Sequence, residues 1–227
     1  MTRFFVRQSL VAASMCAALC VPLAVDARIP ADNRLEFKVK RNGQQIGEHV
    51  IAFDRSGDAL QVEISIDLKV KLAFVTVYNY EHSSKEVWRD GQLVSIRTTT
   101  DDNGDEQFVR AERQDSEIVV DSSSGERAID TPVLPTSYWH KDMLGAARWL
   151  NTQNGEVVSS SIEELGIDTI EVAGETVEAE RYRLRGDIDA DLWYSQGEWV
   201  KLQFEAEDGS LIDYVRTNPL TTRTADS

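Results

Sequence analysis

The chain has 227 residues, 41% of them hydrophobic and 28% charged, with 24 Lys and Arg against 39 Asp and Glu for a formal charge of −15. The apolar content is enough for one core of ordinary size, and the composition excludes collagen-like, coiled-coil and low-complexity chains. So acidic a surface also excludes the usual basic nucleic-acid binder, because a phosphate backbone would repel it.

Residues 1–27 have the order of a secretory signal peptide. Arg3 and Arg7 make a basic start, Leu10 to Leu23 is apolar, and Val25-Asp26-Ala27 presents small residues for cleavage after Ala27. The apolar run is short for a span of ~20 residues, so no transmembrane anchor is expected after cleavage. Cleavage would remove Cys16 and Cys20, the only cysteines, and with them any disulfide or thiol chemistry. Met15 and Leu19 precede those cysteines, where a lipidated cysteine calls for a small residue. Loss of the segment takes away two Arg and one Asp, moving the charge from −15 to −16. The expectation is a periplasmic or secreted protein, with residues 28–218 a single mainly-β domain and 219–227 a disordered polar tail.

Strand signals then follow one another. Leu35–Lys40 ends at Arg41-Asn42-Gly43, a hairpin turn, and Gln45–Phe53 ends at Asp54-Arg55-Ser56-Gly57. Val62, Ile64, Ile66, Leu68, Val70, Leu72 and Phe74 alternate with Glu63, Ser65, Asp67, Lys69, Lys71 and Ala73. That predicts one half-buried strand about 43 Å long at ~3.3 Å per residue, and a helical period does not fit it. A second long run, Val75–Trp88, turns at Arg89-Asp90-Gly91 into Gln92–Thr100, and Asp101-Asp102-Asn103-Gly104 turns into Asp105–Arg113. Glu117–Asp121 and Glu126–Ile129 are shorter. After residue 155 the predicted strands are Glu156–Glu163, Ile167–Val172, Thr176–Arg185, Asp189–Tyr194, Glu198–Glu205 and Ser210–Thr217. One stretch breaks the pattern. Trp139, Met143, Ala146, Ala147 and Leu150 fall on one face of a helix over Ser137–Leu150, with Ser137 as its cap. The predicted architecture is a curved antiparallel sheet, half-barrel or barrel-like, wrapped around one α-helix, with a β-sandwich as the alternative.

Several segments resemble an uncharacterised family of secreted bacterial proteins of unknown function. They include Tyr78-Asn79-Tyr80-Glu81-His82, Glu86-Val87-Trp88-Arg89-Asp90-Gly91, Leu150-Asn151-Thr152-Gln153-Asn154-Gly155-Glu156, Asp191-Leu192-Trp193-Tyr194, Trp199-Val200-Lys201-Leu202 and Asp208-Gly209-Ser210. The resemblance covers most of residues 35–217 and implies no catalytic role. More distantly, the pattern is similar to LolA-type lipoprotein carriers, and that likeness implies a curved sheet around a helix and an apolar cavity. It is a likeness of fold, which does not decide function.

The candidate chemistry concentrates on Tyr78–Trp88. Its even positions, Tyr78, Tyr80, His82, Ser84, Glu86 and Trp88, share one face. That face lines a cavity or packs as a half-buried wall. Along one strand His82, Ser84 and Glu86 lie about 6.6–7 Å apart in steps, too far for a proton relay that needs about 2.6–3.2 Å. His49, His82 and His140 lack metal-ligand spacing, and His140 reads as a solvated helix position. Asp101–Glu106 departs from a calcium loop, because Glu106 stands where Gly is required, so it reads as a hairpin tip. Trp193, Tyr194 and Trp199 flank a hairpin and either stack a ligand or pack. Leu72–Val77 joins two strands without a turn signal, either as an exposed apolar tip or, more simply, as a buried corner. The candidate ligand surface is Leu72, Phe74, Tyr78, Tyr80, His82, Glu86, Trp88, Trp139 and Met143. No catalytic residue, metal or cofactor is expected. The functional expectation is a non-catalytic binder of a lipid-like or other hydrophobic small molecule, or of an envelope protein. The alternatives are a structural envelope module with a filled core and, more remotely, a hydrolase using His82 and carboxylates.

Overall fold

The computed structural model describes residues 29–221. The signal peptide read in residues 1–27 and tail residues 222–227 lie outside the described residues. Eight strands come first: β1 (Arg34–Arg41), β2 (Gln44–Ser56), β3 (Ala59–Leu72), β4 (Val75–Arg89), β5 (Gln92–Asp102), β6 (Asp105–Gln114), β7 (Glu117–Ser122) and β8 (Arg127–Asp130). Three two-residue strands follow, β9 (Leu134–Pro135), β10 (Trp149–Leu150) and β11 (Val157–Val158). The chain closes with β12 (Ser160–Val172), β13 (Glu175–Gly186), β14 (Ala190–Ser195), β15 (Glu198–Glu205) and β16 (Leu211–Arg216).

Thirteen of these strands form one sheet in the order β12-β13-β14-β15-β16-β1-β2-β3-β4-β5-β6-β7-β8. Each neighbour is also a sequence neighbour, except where β16 pairs antiparallel with β1 and sets Phe37 opposite Arg216. A single curled sheet replaces the two-sheet sandwich alternative, and it stays open, with β8 and β12 as its edges. The alternation read from the sequence sets the inner face. Val62, Ile64 and Leu68 of β3 are buried, as are Tyr80, His82, Ser84, Glu86 and Trp88 of β4. At the turns, Asn42-Gly43 and Asn103-Gly104 hold positive φ at both residues, as the twist of a two-residue hairpin demands. The two strands expected between residues 156 and 172 are largely one, β12, with a register shift between Glu164 and Gly166.

The helix expected over Ser137–Leu150 does not form. The stretch carries only a 3-10 turn at Lys141–Gly145, and Trp149-Leu150 instead pairs antiparallel with Val158-Val157 and parallel with Leu134-Pro135. Side-chain demands outweigh helical propensity here. The Trp149 indole donates to the Met143 carbonyl at 2.8 Å, and the Trp139 indole donates to Glu86 on β4 at 3.1 Å. Ala147, on the predicted apolar stripe, is exposed, whereas Trp149, off it, is fully buried. Residues 131–159 nevertheless occupy the concave side of the sheet, as the helix was expected to. Val133, Trp139, Met143, Trp149 and Leu150 share one core cluster with the inner faces of β1–β8 and β14–β16. Gly155, at φ +81, lets this segment run against β7, where a Cβ would come within 2.4 Å of the Ser122 side chain. No helix among the described residues is long and apolar enough to cross a membrane.

Candidate functional site

The concave face leaves a cavity of about 420 Å³ between β2–β4, β15, β16 and the loops around residues 137, 152 and 188. Ile64, Ile66 and Leu68 of β3, with Leu202 and Phe204 of β15, supply its aliphatic and phenyl wall. Tyr78 and Tyr80 of β4, Tyr138, Trp199 and Tyr214 supply a wall of larger rings. Asp187 and Asp189, both exposed, stand at its mouth, and Asp102 joins the lining.

Two histidines line this space, His49 of β2 and His82 of β4, on either side of Ile66 of β3. His82 Nδ1 lies 2.8 Å from the Thr100 hydroxyl, and its ring stacks beside Tyr80. His49 is 3% exposed and boxed by the rings of Phe37, Trp199 and Tyr214 at 5.8, 5.4 and 5.7 Å. Neither ring nitrogen of His49 has a hydrogen-bond partner. Burial lowers His82 to about 4, while burial and then the charge of His82 lower His49 to about 3. Both rings are therefore neutral at ordinary pH. Higher on the wall the Tyr80 hydroxyl accepts from Gln153 Nε2 at 2.9 Å, tying the sheet to the inner segment.

The predicted site residues divide into three groups. Tyr78, Tyr80 and His82 line the cavity. Glu86, Trp88 and Trp139 meet one another as a packed layer outside the cavity lining, and Met143 is buried in the same core cluster as the two indoles. Glu86 Oε2 accepts from the indoles of Trp88 at 2.8 Å and Trp139 at 3.1 Å, and the two indoles meet edge to face at 5.2 Å. Burial pushes the Glu86 carboxyl up to about 7, against the hydrogen bonds of Trp88, Trp139 and Ser137, which favour the carboxylate. His140 belongs to this layer too: it is buried and stacks on Trp88 at 5.0 Å, which corrects its reading as a solvated position. Phe74 forms the third group. It is fully exposed at the tip of the β3–β4 hairpin, with Val75 and Val77 beside it. The buried-corner reading of Leu72–Val77 is thus overturned, because Ala73 adopts φ 54 and closes a tight turn that carries the strands out into solvent. Leu72 ends β3, and its side chain lies outside the described ones.

His82 pairs with Thr100, and Glu86 Oε2 with the two indoles, and no hydrogen bond links His82 with Glu86. Among the described residues no group of three His, Cys, Asp or Glu is placed to hold a metal. Asp101–Glu106 is a hairpin turn whose Gly104 N–H donates to Asp101. The three aromatics at the β14–β15 hairpin part company. Trp193 faces outward beneath Arg181 and Lys201, at 5.0 and 4.5 Å from its ring, and donates to Asp168. Tyr194 and Trp199 belong to the inner core, and Trp199 also lines the cavity.

Sequence reasoning missed His49 and Tyr214 as cavity residues, and left Trp199, named there as a ligand-stacking or packing residue, out of the candidate surface. A signal existed for His49, which shares the alternating inner face of β2 with Ile51 and Phe53. No local signal marks the buried ion pair between Glu198 and Arg216, 2.6 Å apart, which secures β15 against β16 and the Asn218-Pro219 segment that follows it.

The profile of the domain of unknown function DUF6134 matches residues 37–217. Among solved structures, the chain is similar to a β-barrel-like protein of domain of unknown function DUF1849 from Brucella abortus. The two are 10% identical and superpose with a TM-score of 0.59 over 84% of this chain and 98% of that one. At that identity the likeness concerns fold alone. No curated protein matches the sequence.

Proposed function

The chain belongs to the DUF6134 family, and from that premise we propose that it is a non-catalytic cell-envelope protein that holds an apolar or amphipathic ligand inside its curled sheet. The observation that carries this reading is the cavity of about 420 Å³ on the concave face, walled by aliphatic and aromatic side chains. Its size falls in the range of small-molecule sites, ~300–1,000 Å³. A structural module with a filled core would have no reason to leave such a space, since interiors otherwise pack densely. Glu86, held by two buried indoles outside the cavity lining, is not placed to act with His82 on a ligand there, which supports binding over the hydrolase alternative.

The exposed hairpin tip supports a lipid surface as the source of the ligand. Leu68 and Tyr78 line the cavity, and the same two strands run on to Phe74, Val75 and Val77 in solvent. From Val70 to Asn79 the only charged residue is Lys71, so the tip lacks the acidic side chains that dominate the rest of the chain. Apolar side chains on a projecting turn suit insertion among lipid chains.

The test is native mass spectrometry of the protein purified from its host, followed by solvent extraction of whatever is bound. A hydrophobe should co-purify, and Ile66→Trp, which fills the cavity, should reduce its yield. A clean apo mass that gains nothing from added amphiphiles refutes the reading. In vesicle flotation, Phe74→Ser should release the protein from lipid at unchanged thermal stability. Equal flotation of both forms would remove the tip from the account.

A further inference from the structure

The strongest unassigned feature is the buried imidazole at the bottom of the cavity. Buried polar atoms in native proteins are nearly always hydrogen-bonded, and one that is not calls for an occupant. His49 is 3% exposed, lines the cavity and has no partner at either ring nitrogen. The rings of Phe37, Trp199 and Tyr214 surround it but offer its nitrogens nothing, while His82, on the far side of Ile66, already has Thr100. The site is thus an aromatic box with one unused donor and one unused acceptor.

The charges around the space restrict what fits. No Lys or Arg lines the cavity, and Asp102, Asp187 and Asp189 do. A carboxylate or phosphate drawn into it would pass acids and end buried without a cation, which is costly. An ammonium head would be held by the aspartates at the mouth, leaving His49 against the tail. A hydroxyl meets neither difficulty, because it donates to one imidazole nitrogen or accepts from the other without carrying charge.

We propose that His49 is the hydrogen-bonding anchor for the hydroxyl head of an uncharged amphipathic ligand, an alcohol on an apolar body, whose tail packs on the aliphatic wall around Ile66, the residue paired with His49 across β2 and β3. The proposal rests on the cavity reading of the previous section. It places the head at His49 and the tail against the aliphatic wall. It also gives a selection rule by head group at equal chain length.

The test uses the full secreted chain and displacement of the apolar fluorophore N-phenyl-1-naphthylamine by 1-decanol, decanoate and decylamine. Decanol should displace the dye at a concentration about tenfold or more below the other two, since one satisfied buried hydrogen bond is worth roughly a factor of ten. His49→Phe should narrow the preference for decanol over the other two to within about twofold. His49→Gln, which keeps a donor and an acceptor, should restore part of the loss, and circular dichroism checks that both variants fold. Dye that binds wild type but is displaced equally by all three heads overturns the proposal and leaves the cavity reading standing. So does a His49→Phe variant that discriminates as wild type does. Failure of the dye and of every decyl probe to bind overturns both.

Discussion

Replacing Glu86 by Gln should stabilise the protein at alkaline pH and leave it nearly unchanged at acid pH. Glu86 is 1% exposed, and its Oε2 accepts from two indoles that join β4 to the inner segment. Burial raises its carboxyl from 4.5 to about 7. Because the folded-state value is raised, the folded protein keeps a proton that the unfolded chain has released between those two values. The stabilising contribution is therefore full below the unfolded value and is lost as pH rises through about 7. At about 1.4 kcal/mol per pH unit, the whole rise amounts to about 3 kcal/mol. Gln preserves the acceptor oxygen for Trp88 and Trp139 and never ionises. The stability difference between Glu86→Gln and wild type should then shift by about 2–3 kcal/mol in favour of the variant between about pH 5 and about pH 8.5. Urea unfolding followed by tryptophan fluorescence at both pH values measures it, and the comparison cancels packing changes common to both. A difference that does not move with pH, or moves toward wild type at the higher pH, refutes the argument that the carboxylate is buried at a cost.

The histidines predict the opposite trend. Burial holds His49 near 3 and His82 near 4, both below the ordinary 6.5, so their contribution is present above about 6.5 and is lost as pH falls toward about 4. His49→Phe should remove about 1.4 kcal/mol per pH unit from the slope of stability in that window, and an unchanged slope would show that His49 is not held neutral by the fold. Arg216→Met should cost about 3–5 kcal/mol in urea unfolding by stranding buried Glu198, and adding Glu198→Leu should recover most of it. A loss under about 1 kcal/mol for the single change would mean that water reaches the pair.

What the sequence by itself determined is the set of strands and the faces they bury. Val62, Ile64 and Leu68 of β3, and Tyr80 to Trp88 of β4, point inward as their alternation requires, because successive side chains of a strand take opposite sides whatever the rest of the chain does. Asn42-Gly43 and Asn103-Gly104 likewise specify their turns through φ values that few other pairs adopt. Family membership was legible for the same reason, since the quoted segments sit on these strands and turns. Tertiary structure alone decided the rest. Trp139, Met143 and Leu150 have helical spacing, yet Glu86, 53 residues away, captures the Trp139 indole, and Leu150 pairs with Val157 in a short strand instead of closing a helix. Leu72–Val77 reads more simply as a corner, and it is a tip because, among the described residues, nothing covers Phe74, Val75 and Val77. His49 could be placed on an inner face but not in a cavity, and Glu198 could not be matched with Arg216. Each of these depends on which distant segment fills the space opposite a side chain, and no local pattern carries that information.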